Sequence, residues 1–358
     1  MEAATANGNG IGTDSDISSL KLNLATSQVV PLGIFCFLMT FFGLLGNATV
    51  LYSSIRYNSI RLDKISLIFV KNLAAADIMY TIFAIFPNFI TFTAREWVLG
   101  EVWCFISAQL SFIPGFANIF IVLCITLYRL ILVVSPFDIT RSITARAIAG
   151  TFWVIAILLT IIAGVVFSAK SQFNPDNGTC MSSLYDDPGA KKVVTIFTIL
   201  TVMIPMLLIT LINAALCFIA FKHSTSGLFS CVPTRSSRHR GIDKRRKRRN
   251  RGLVMTCLLS GMFVASWLPY IIYNSMKARK SSVSQELDIL SFHCIFINSF
   301  GNPILYSLTN KRFGKYVKGM VLAVIHCDRH FENRHDITRN VARIGSSVRE
   351  IRRHDEAV

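Results

Sequence analysis

The sequence predicts an all-α integral membrane protein, a seven-transmembrane helix bundle with a short amphipathic interfacial helix after the last span. Three observations carry this. Of 358 residues, 52% are hydrophobic and 16% charged, where a soluble domain carries about 25% charged residues, and the mean hydropathy is +0.50. Seven apolar stretches recur along the chain, each long enough to cross about 30 Å of hydrocarbon as a helix of roughly 20 residues. Basic residues gather in alternate connections between those stretches, the asymmetry that orients a membrane chain. The formal net charge of +17 is therefore no sign of a nucleic-acid partner, because the basic residues lie between apolar runs and not along one soluble face.

Residues 1–28 are polar and rich in Gly, Ser, Thr, Asn and Asp, without the basic start and apolar core of a cleavable signal, and read as a disordered extracellular tail. The bundle occupies 29–310, with spans at about 29–55, 64–94, 102–134, 145–169, 190–222, 246–276 and 285–309. Only the second is interrupted by charge in its middle, at Lys71 and Asp77. One set of connections holds Arg56, Arg61 and Lys64, then Arg141 and Arg146, then the run from Lys244 to Arg251; Lys311, Arg312, Lys315 and Lys318 follow the last span. The opposite set is poorer in basic residues, so the N-terminus is expected outside and the C-terminus in the cytoplasm, across a plasma membrane. Asn177-Gly-Thr179 then falls in an outer loop, where Asn177 is a candidate glycan acceptor.

After the seventh span, residues 311–326 alternate basic positions with Phe313, Tyr316, Val317, Met320 and Val321. Helical spacing gathers the apolar side chains on one face, as in a helix lying against membrane lipids. Cys327 is a candidate for palmitoylation or a free thiol, and 327–358 form a polar cytoplasmic tail. None of the nine cysteines forms a C-x-x-C pair, so no zinc or thioredoxin-like site is indicated. Most sit in apolar runs as small core residues, whereas Cys104 and Cys180 lie at the mouth of a run and in a polar loop.

Polar residues inside the spans mark function, because hydrocarbon leaves them expensive unless they face one another. Asn298 to Tyr306, Asn-Ser-Phe-Gly-Asn-Pro-Ile-Leu-Tyr, places two amides and a proline in one span. The proline costs a backbone hydrogen bond and the amides need partners on neighbouring helices. Asp77, Asn47, Asn118, Asn298, Ser299 and Asn302 are the groups available. Oxygen ligands from Asp77, Asn118, Asn298 and Asn302 would suit a sodium ion, and a water-filled hydrogen-bond network is the other reading.

These residues, in this order, resemble the rhodopsin-like (class A) G-protein-coupled receptors from about residue 29 to 325. The resemblance is carried by Gly46-Asn47, by Asn72-Leu-Ala-Ala-Ala-Asp77, by Trp97, Gly100 and Cys104, by Trp153 and Pro205, by Phe263 to Pro269, and by Asn302-Pro303 to Tyr306. It implies a disulfide between Cys104 and Cys180, Trp267 below the ligand, and repacking of Ile119, Pro205 and Phe263 on activation. It also implies Asn302, Pro303 and Tyr306 as a hinge, Arg129 as the contact with a heterotrimeric G protein, and arrestin as a further partner.

Two departures follow. Where the family has Asp-Arg-Tyr, this chain has Tyr128-Arg129-Leu130, and the acid expected at the foot of the sixth helix falls at Arg249. Arg129 thus lacks both usual restraints, which predicts raised basal signalling or a substitute lock through Tyr128. Pro114-Gly115 in the third span predicts a kink beside the ligand cavity.

The aspartate of amine receptors is replaced by Ser111, and the retinal-linking lysine of opsins by Phe296. The expected ligand is a non-aminergic small molecule, lipid or peptide. Helical spacing lines its pocket with Ser111, Phe112 and Gly115, with Trp267, Tyr270, Ile271 and Asn274, and with Phe292, Ile295 and Phe296, completed by Asn88, Phe197, Thr198 and Thr201. Lys277, Arg279 and Lys280 stand near the rim, either to draw in an anionic ligand or as solvated loop charge. The third-helix region is similar to the branch holding melatonin-like and insect moody-like orphan receptors, although the melatonin receptors' histidine falls here at Thr201. No catalytic dyad appears, so an enzyme is not expected. The alternatives are a receptor-like protein with atypical or constitutive coupling and, further off, an ion channel or transporter.

Overall fold

A computed structural model describes residues 20–56, 64–134, 142–166, 171–182, 188–228, 237–278 and 283–325. The first helix is Thr26–Arg56, and the second runs Lys64–Tyr80, a π-turn Thr81–Ile85, then Phe86–Ala94. The third is Gly100–Leu110 and Phe112–Val134, and the fourth Ser142–Val166. The fifth is Pro188–Thr198, a π-turn Ile199–Met203, then Ile204–Leu228; the sixth is Ser237–Ala278. The seventh is Gln285–Cys294 and Phe296–Thr309, and the eighth Lys311–Ile325. The first six are long and apolar enough to cross a membrane, and the seventh lies inside the bundle against the first, second, sixth and eighth. This is the expected seven-helix bundle.

The fourth helix turns small residues inward and large apolar ones outward. Ala145, Ala149, Ala156 and Ala163 are buried along one stripe of the fourth helix, while Val154, Ile157, Leu158 and Ile161 are exposed. That is the pattern of a helix with protein on one side and lipid on the other. Trp153 Nε1 donates across to Asn72 Oδ1 on the second helix at 3.0 Å.

Prolines shape the interior. Pro87 and Pro205 each follow a π-turn, in which the chain absorbs the N–H that proline removes. The third helix is interrupted at Ser111, one turn before Pro114, where the next bond is Gly115 N to Ser111 O at 3.2 Å. Pro303 leaves Ser299 O without its helical donor, and Asn47 Nδ2 of the first helix donates to that carbonyl and to Gly43 O. Gly46 makes this approach feasible, since a Cβ there would stand 2.8 Å from Pro303 Cγ.

The bundle has two distinct ends. At one, strands β1 (Ser171–Asn174) and β2 (Thr179–Ser182) form a hairpin, tied to the third helix by the Cys104–Cys180 disulfide. Its turn uses Gly178 at φ +75°, where a side chain would also strike Phe92 and Leu22. At the other end the seventh helix stops at Asn310, whose Oδ1 accepts from Phe313 N at 3.4 Å to start the eighth. Phe313 and Tyr316 of that helix are buried against the core, with Lys311, Lys315 and Lys318 exposed, the amphipathic division expected.

Candidate functional site

Three interior layers hold the residues that the sequence singled out. The middle layer is built on Asp77, which is fully buried. Asn118 Nδ2 of the third helix donates to its Oδ1 at 3.0 Å, and Asn302 Nδ2 of the seventh to its Oδ2 at 2.7 Å. Ser299 Oγ lies close enough to act on the carboxylate but makes no well-formed hydrogen bond. Asn298, expected in this group, is buried but gives no hydrogen bond to Asp77 among those of the described residues. The Oδ1 atoms of Asn47, Asn118, Asn298 and Asn302 are buried without donors. Asn118 and Asn302, which hold the carboxylate, thus each leave a buried amide oxygen without a donor.

Above this layer, toward the disulfide end, the expected ligand wall is aromatic. Trp267 contacts Phe263 and Tyr270, each at a ring-centroid distance of 5.9 Å. Phe112 stacks on Phe116, which meets Phe197 edge-on at 5.8 Å. Phe292 meets Phe296 at 5.7 Å, and Tyr80 meets Phe296 at 6.0 Å. Phe296 is fully buried, whereas Phe112 leaves 40% of its surface uncovered. The space beside Gly115 is open. The polar candidates spend their donors on their own helices: Asn88 on Ala84 O, Ser111 on Ala108 O, Thr201 on Phe197 O and Asn274 on Tyr270 O. Thr198 and Ile271 are half-buried beside them. This wall offers ring faces and neutral groups, and no carboxylate at Ser111 to pair with an amine.

The sequence reading missed Tyr80, Phe116 and His293. His293 is buried among Phe35, Phe92, Phe292 and Phe296, with Nδ1 2.8 Å from Ile289 O. Its position one turn after Ile289 and one before Phe296 was the available signal.

The disulfide end is covered. Residues 20–25 cross it as a strap: Leu22 N donates to Arg95 O, Trp97 N to Leu20 O and Asn23 N to Pro175 O. Gln285 Nε2 reaches both Asn23 O and Asp176 O. Asn177, the candidate glycan acceptor, is buried; its Oδ1 accepts from Thr179 N and Oγ1, and its Nδ2 faces Asp288 Oδ2 at 3.5 Å. A glycan on that nitrogen would have to displace Asp288. A polar hollow of about 570 Å³ lies here, lined by Asn23, Asp176, Tyr273, Lys277, Gln285 and Asp288 among others. Lys277 Nζ sits 5.4 Å over the Tyr273 ring, and two acids share its hollow, so this part of the rim is of mixed charge. Arg279, Lys280 and Cys327 lie outside the described residues.

At the opposite end Arg129 is buried at 7% exposure. Its Nη2 donates to Ser66 Oγ of the second helix at 2.8 Å, and its guanidinium lies 5.9 Å from the Tyr128 ring. Tyr128 is itself buried and Leu130 half-buried. Ile119, Phe263 and Tyr306 are core residues with 0%, 0% and 1% exposure, and Pro205 and Pro303 are buried with them.

The description "7 transmembrane receptor (rhodopsin family)" matches residues 46–306. The chain belongs to this family. Among similar receptors, the somatostatin receptor type 2 of Mus musculus is 25% identical over 308 residues, covering 84% of this chain and 79% of that receptor. The allatostatin-A receptor of Bombyx mori is 24% identical over 303 residues, covering 82% and 79%. The substance-K receptor of Mesocricetus auratus is 24% identical over 276 residues, covering 75% and 69%. Among solved structures, the crystal structure of squid rhodopsin superposes with a TM-score of 0.71 at 18% identity, over 87% of this chain and 91% of that one, a likeness of fold. As a member of a signalling-receptor family, this multi-pass membrane protein is a receptor for a non-aminergic ligand.

Proposed function

We propose that the receptor binds an extracellular peptide, or a small molecule with peptide-like aromatic groups, at the disulfide end and drives nucleotide exchange on a heterotrimeric G protein at the Arg129 end. The N-terminus is then extracellular and the C-terminus cytoplasmic, across the plasma membrane. The receptors quoted above are named for somatostatin, allatostatin-A and substance K, all peptides, and the aromatic wall without a counter-ion suits apolar and neutral side chains.

The observation that carries the reading is the packing of Tyr270 on Trp267 and Trp267 on Phe263, which joins the ligand wall to the core containing Ile119, Tyr128 and Tyr306. A ligand that moves Trp267 repacks Phe263 against Ile119 and Pro205, frees the Asn302-Pro303 hinge that carries Tyr306, and lets the sixth helix open a cleft around Arg129. Arrestin would use the same cleft, and the eighth helix would lie on membrane lipids.

The Asp77 layer fits a sodium ion, because its donor-free oxygens are the hard ligands such a cation takes. Asp77, Asn118, Asn302 and Ser299 would hold it, and it would supply positive charge beside the buried carboxylate.

The test is a screen of peptide and lipid libraries on cells carrying a promiscuous G-protein reporter. For an active ligand, Trp267→Ala is expected to reduce the maximal response at least severalfold at equal surface expression. An undiminished response in that variant, or ion flux in reconstituted vesicles without G protein, overturns the proposal.

A further inference from the structure

The fifth and sixth helices meet in a register that sets one thiol against another. Asn213 Nδ2 of the fifth helix donates to Cys257 O of the sixth at 3.4 Å. A Cβ on Gly261 would stand 3.7 Å from that same nitrogen, so a bare stretch of the sixth helix lets the two come close. As consecutive spans they run antiparallel. One turn further along the fifth helix and one turn back along the sixth, Cys217 therefore meets Cys257, and the two thiols are within hydrogen-bonding reach of each other. Both lie in apolar spans, Thr195–Ile219 and Gly252–Lys277. Cys217 is exposed and Cys257 half-buried, and the exposed Leu211 and Phe218 flank Cys217, so this face meets lipid. A thiol is a small apolar group and a weak donor, and packing alone asks for no second thiol opposite the first.

We infer that Cys217 and Cys257 form a redox site, which lipid hydroperoxides oxidise to a disulfide fastening the fifth helix to the sixth. Cys217, the thiol on the lipid side, meets the peroxide in the phase where that oxidant resides. Its sulfur attacks the terminal peroxide oxygen, the O–O bond breaks, and Cys217 becomes a sulfenic acid. The lipid leaves as the alcohol, carrying the thiol proton. Cys257 then attacks the oxidised sulfur: an S–S bond forms, the S–O bond breaks, and water departs with the Cys257 proton. The two sulfurs together lose two electrons, and one hydroperoxide is reduced to an alcohol and water.

A disulfide keeps its two Cα atoms within about 4.4–6.8 Å of each other, so the helices cannot part at this level once it has closed. The consequence for signalling rests on the proposed opening of the sixth helix. Oxidation restrains that helix and lowers nucleotide exchange.

The test separates the site from its consequence. Full-length receptor in lipid nanodiscs is treated with a fatty-acid hydroperoxide or with the corresponding alcohol, its free thiols are alkylated, and the digest is analysed by mass spectrometry. The peptide joining Cys217 to Cys257 is expected to rise at least severalfold with the hydroperoxide and to stay at its starting level with the alcohol. In Cys257→Ser, dimedone should trap a sulfenic acid on Cys217 severalfold more than it traps one on Cys257 in Cys217→Ser. No rise of the joined peptide in the parent, or pairing of either thiol with a different cysteine instead, overturns the site. Ligand-free nucleotide exchange on a panel of G-protein heterotrimers, read on the same samples, should fall severalfold on oxidation of the parent and stay unchanged in Cys217→Ser. A disulfide that forms without altering exchange supports the site and overturns the signalling role given to the sixth helix.

Discussion

At the scale of single residues, the interior is governed by which polar atoms find partners across helices. Hydroxyls and amides in helices commonly bond back to the carbonyl four residues before, as Thr49, Thr126, Ser260 and Thr309 do here. Those that reach another helix are the informative exceptions. Asp77 with Asn118 and Asn302 was legible in the sequence because these are rare groups in apolar runs, which have few places to go. Ser66 and Ser107 were not legible: a serine in a span is ordinary, and only the axial register of two helices decides whether it reaches across. Asn298 is expected beside Asp77 by the same counting and is buried, but it gives no hydrogen bond to that carboxylate.

The Asp77 layer yields a prediction at this scale. If sodium occupies it, detergent-solubilised receptor should melt at a higher temperature in sodium chloride than in choline chloride at equal ionic strength. Binding to the folded state alone contributes about 2.7 kcal/mol at a hundred times the dissociation constant. Asp77→Asn removes the anionic ligand and should abolish the difference. Equal melting of the parent protein in both salts would count against the ion.

At the scale of elements, proline decides where helices bend and what their neighbours must provide. A regular α-turn would pair Phe83 O with an N–H at position 87, which Pro87 lacks, and Ser107 Oγ of the third helix donates to that carbonyl at 2.7 Å. Asn47 does the same for Ser299 O opposite Pro303. The sequence announced the cost at Pro303 and the interruption near Pro114, since a proline inside an apolar run is visible on its own. The π-turns before Pro87 and Pro205 were hidden, because a widened turn and a rescuing side chain relieve the same deficit and composition does not say which.

Ser107 and Pro87 should therefore couple. Ser107→Ala alone leaves a buried carbonyl without a donor and is expected to cost about 1–3 kcal/mol. With Pro87→Ala the backbone N–H returns, and the same serine change should cost markedly less. A double-mutant cycle on thermal or denaturant stability would show a coupling of about 0.5–3 kcal/mol; additive effects would mean that the hydroxyl does not serve that carbonyl.

At the scale of the whole molecule, the two ends are held by different means. The disulfide end is fastened by the Cys104–Cys180 bond, the hairpin, the strap and the seventh-helix cap, where Ser284 accepts from Leu287 N at 3.3 Å. Among the described residues, the Arg129 end has the Arg129–Ser66 hydrogen bond between the third and second helices. On the proposed mechanism the Arg129 end opens while the disulfide end stays closed, and a ligand arriving from the disulfide side would meet the strap. Leu22 packs with Leu24 onto the cluster containing Phe92 and Phe296, and Gly178 leaves room for both Leu22 and Phe92, so strap, hairpin and ligand wall are in contact with one another.

Removing residues 1–25 should accordingly raise deuterium uptake together in residues 95–97 and 171–182, which pair with or pack against the strap, while residues 299–306 keep their protection. It should also raise the association rate of any ligand that enters from this side, because opening of the strap then ceases to limit access. Hairpin protection unchanged by the truncation would show that the strap lies on a cap that stands without it, and would move the barrier to ligand entry onto the hairpin itself.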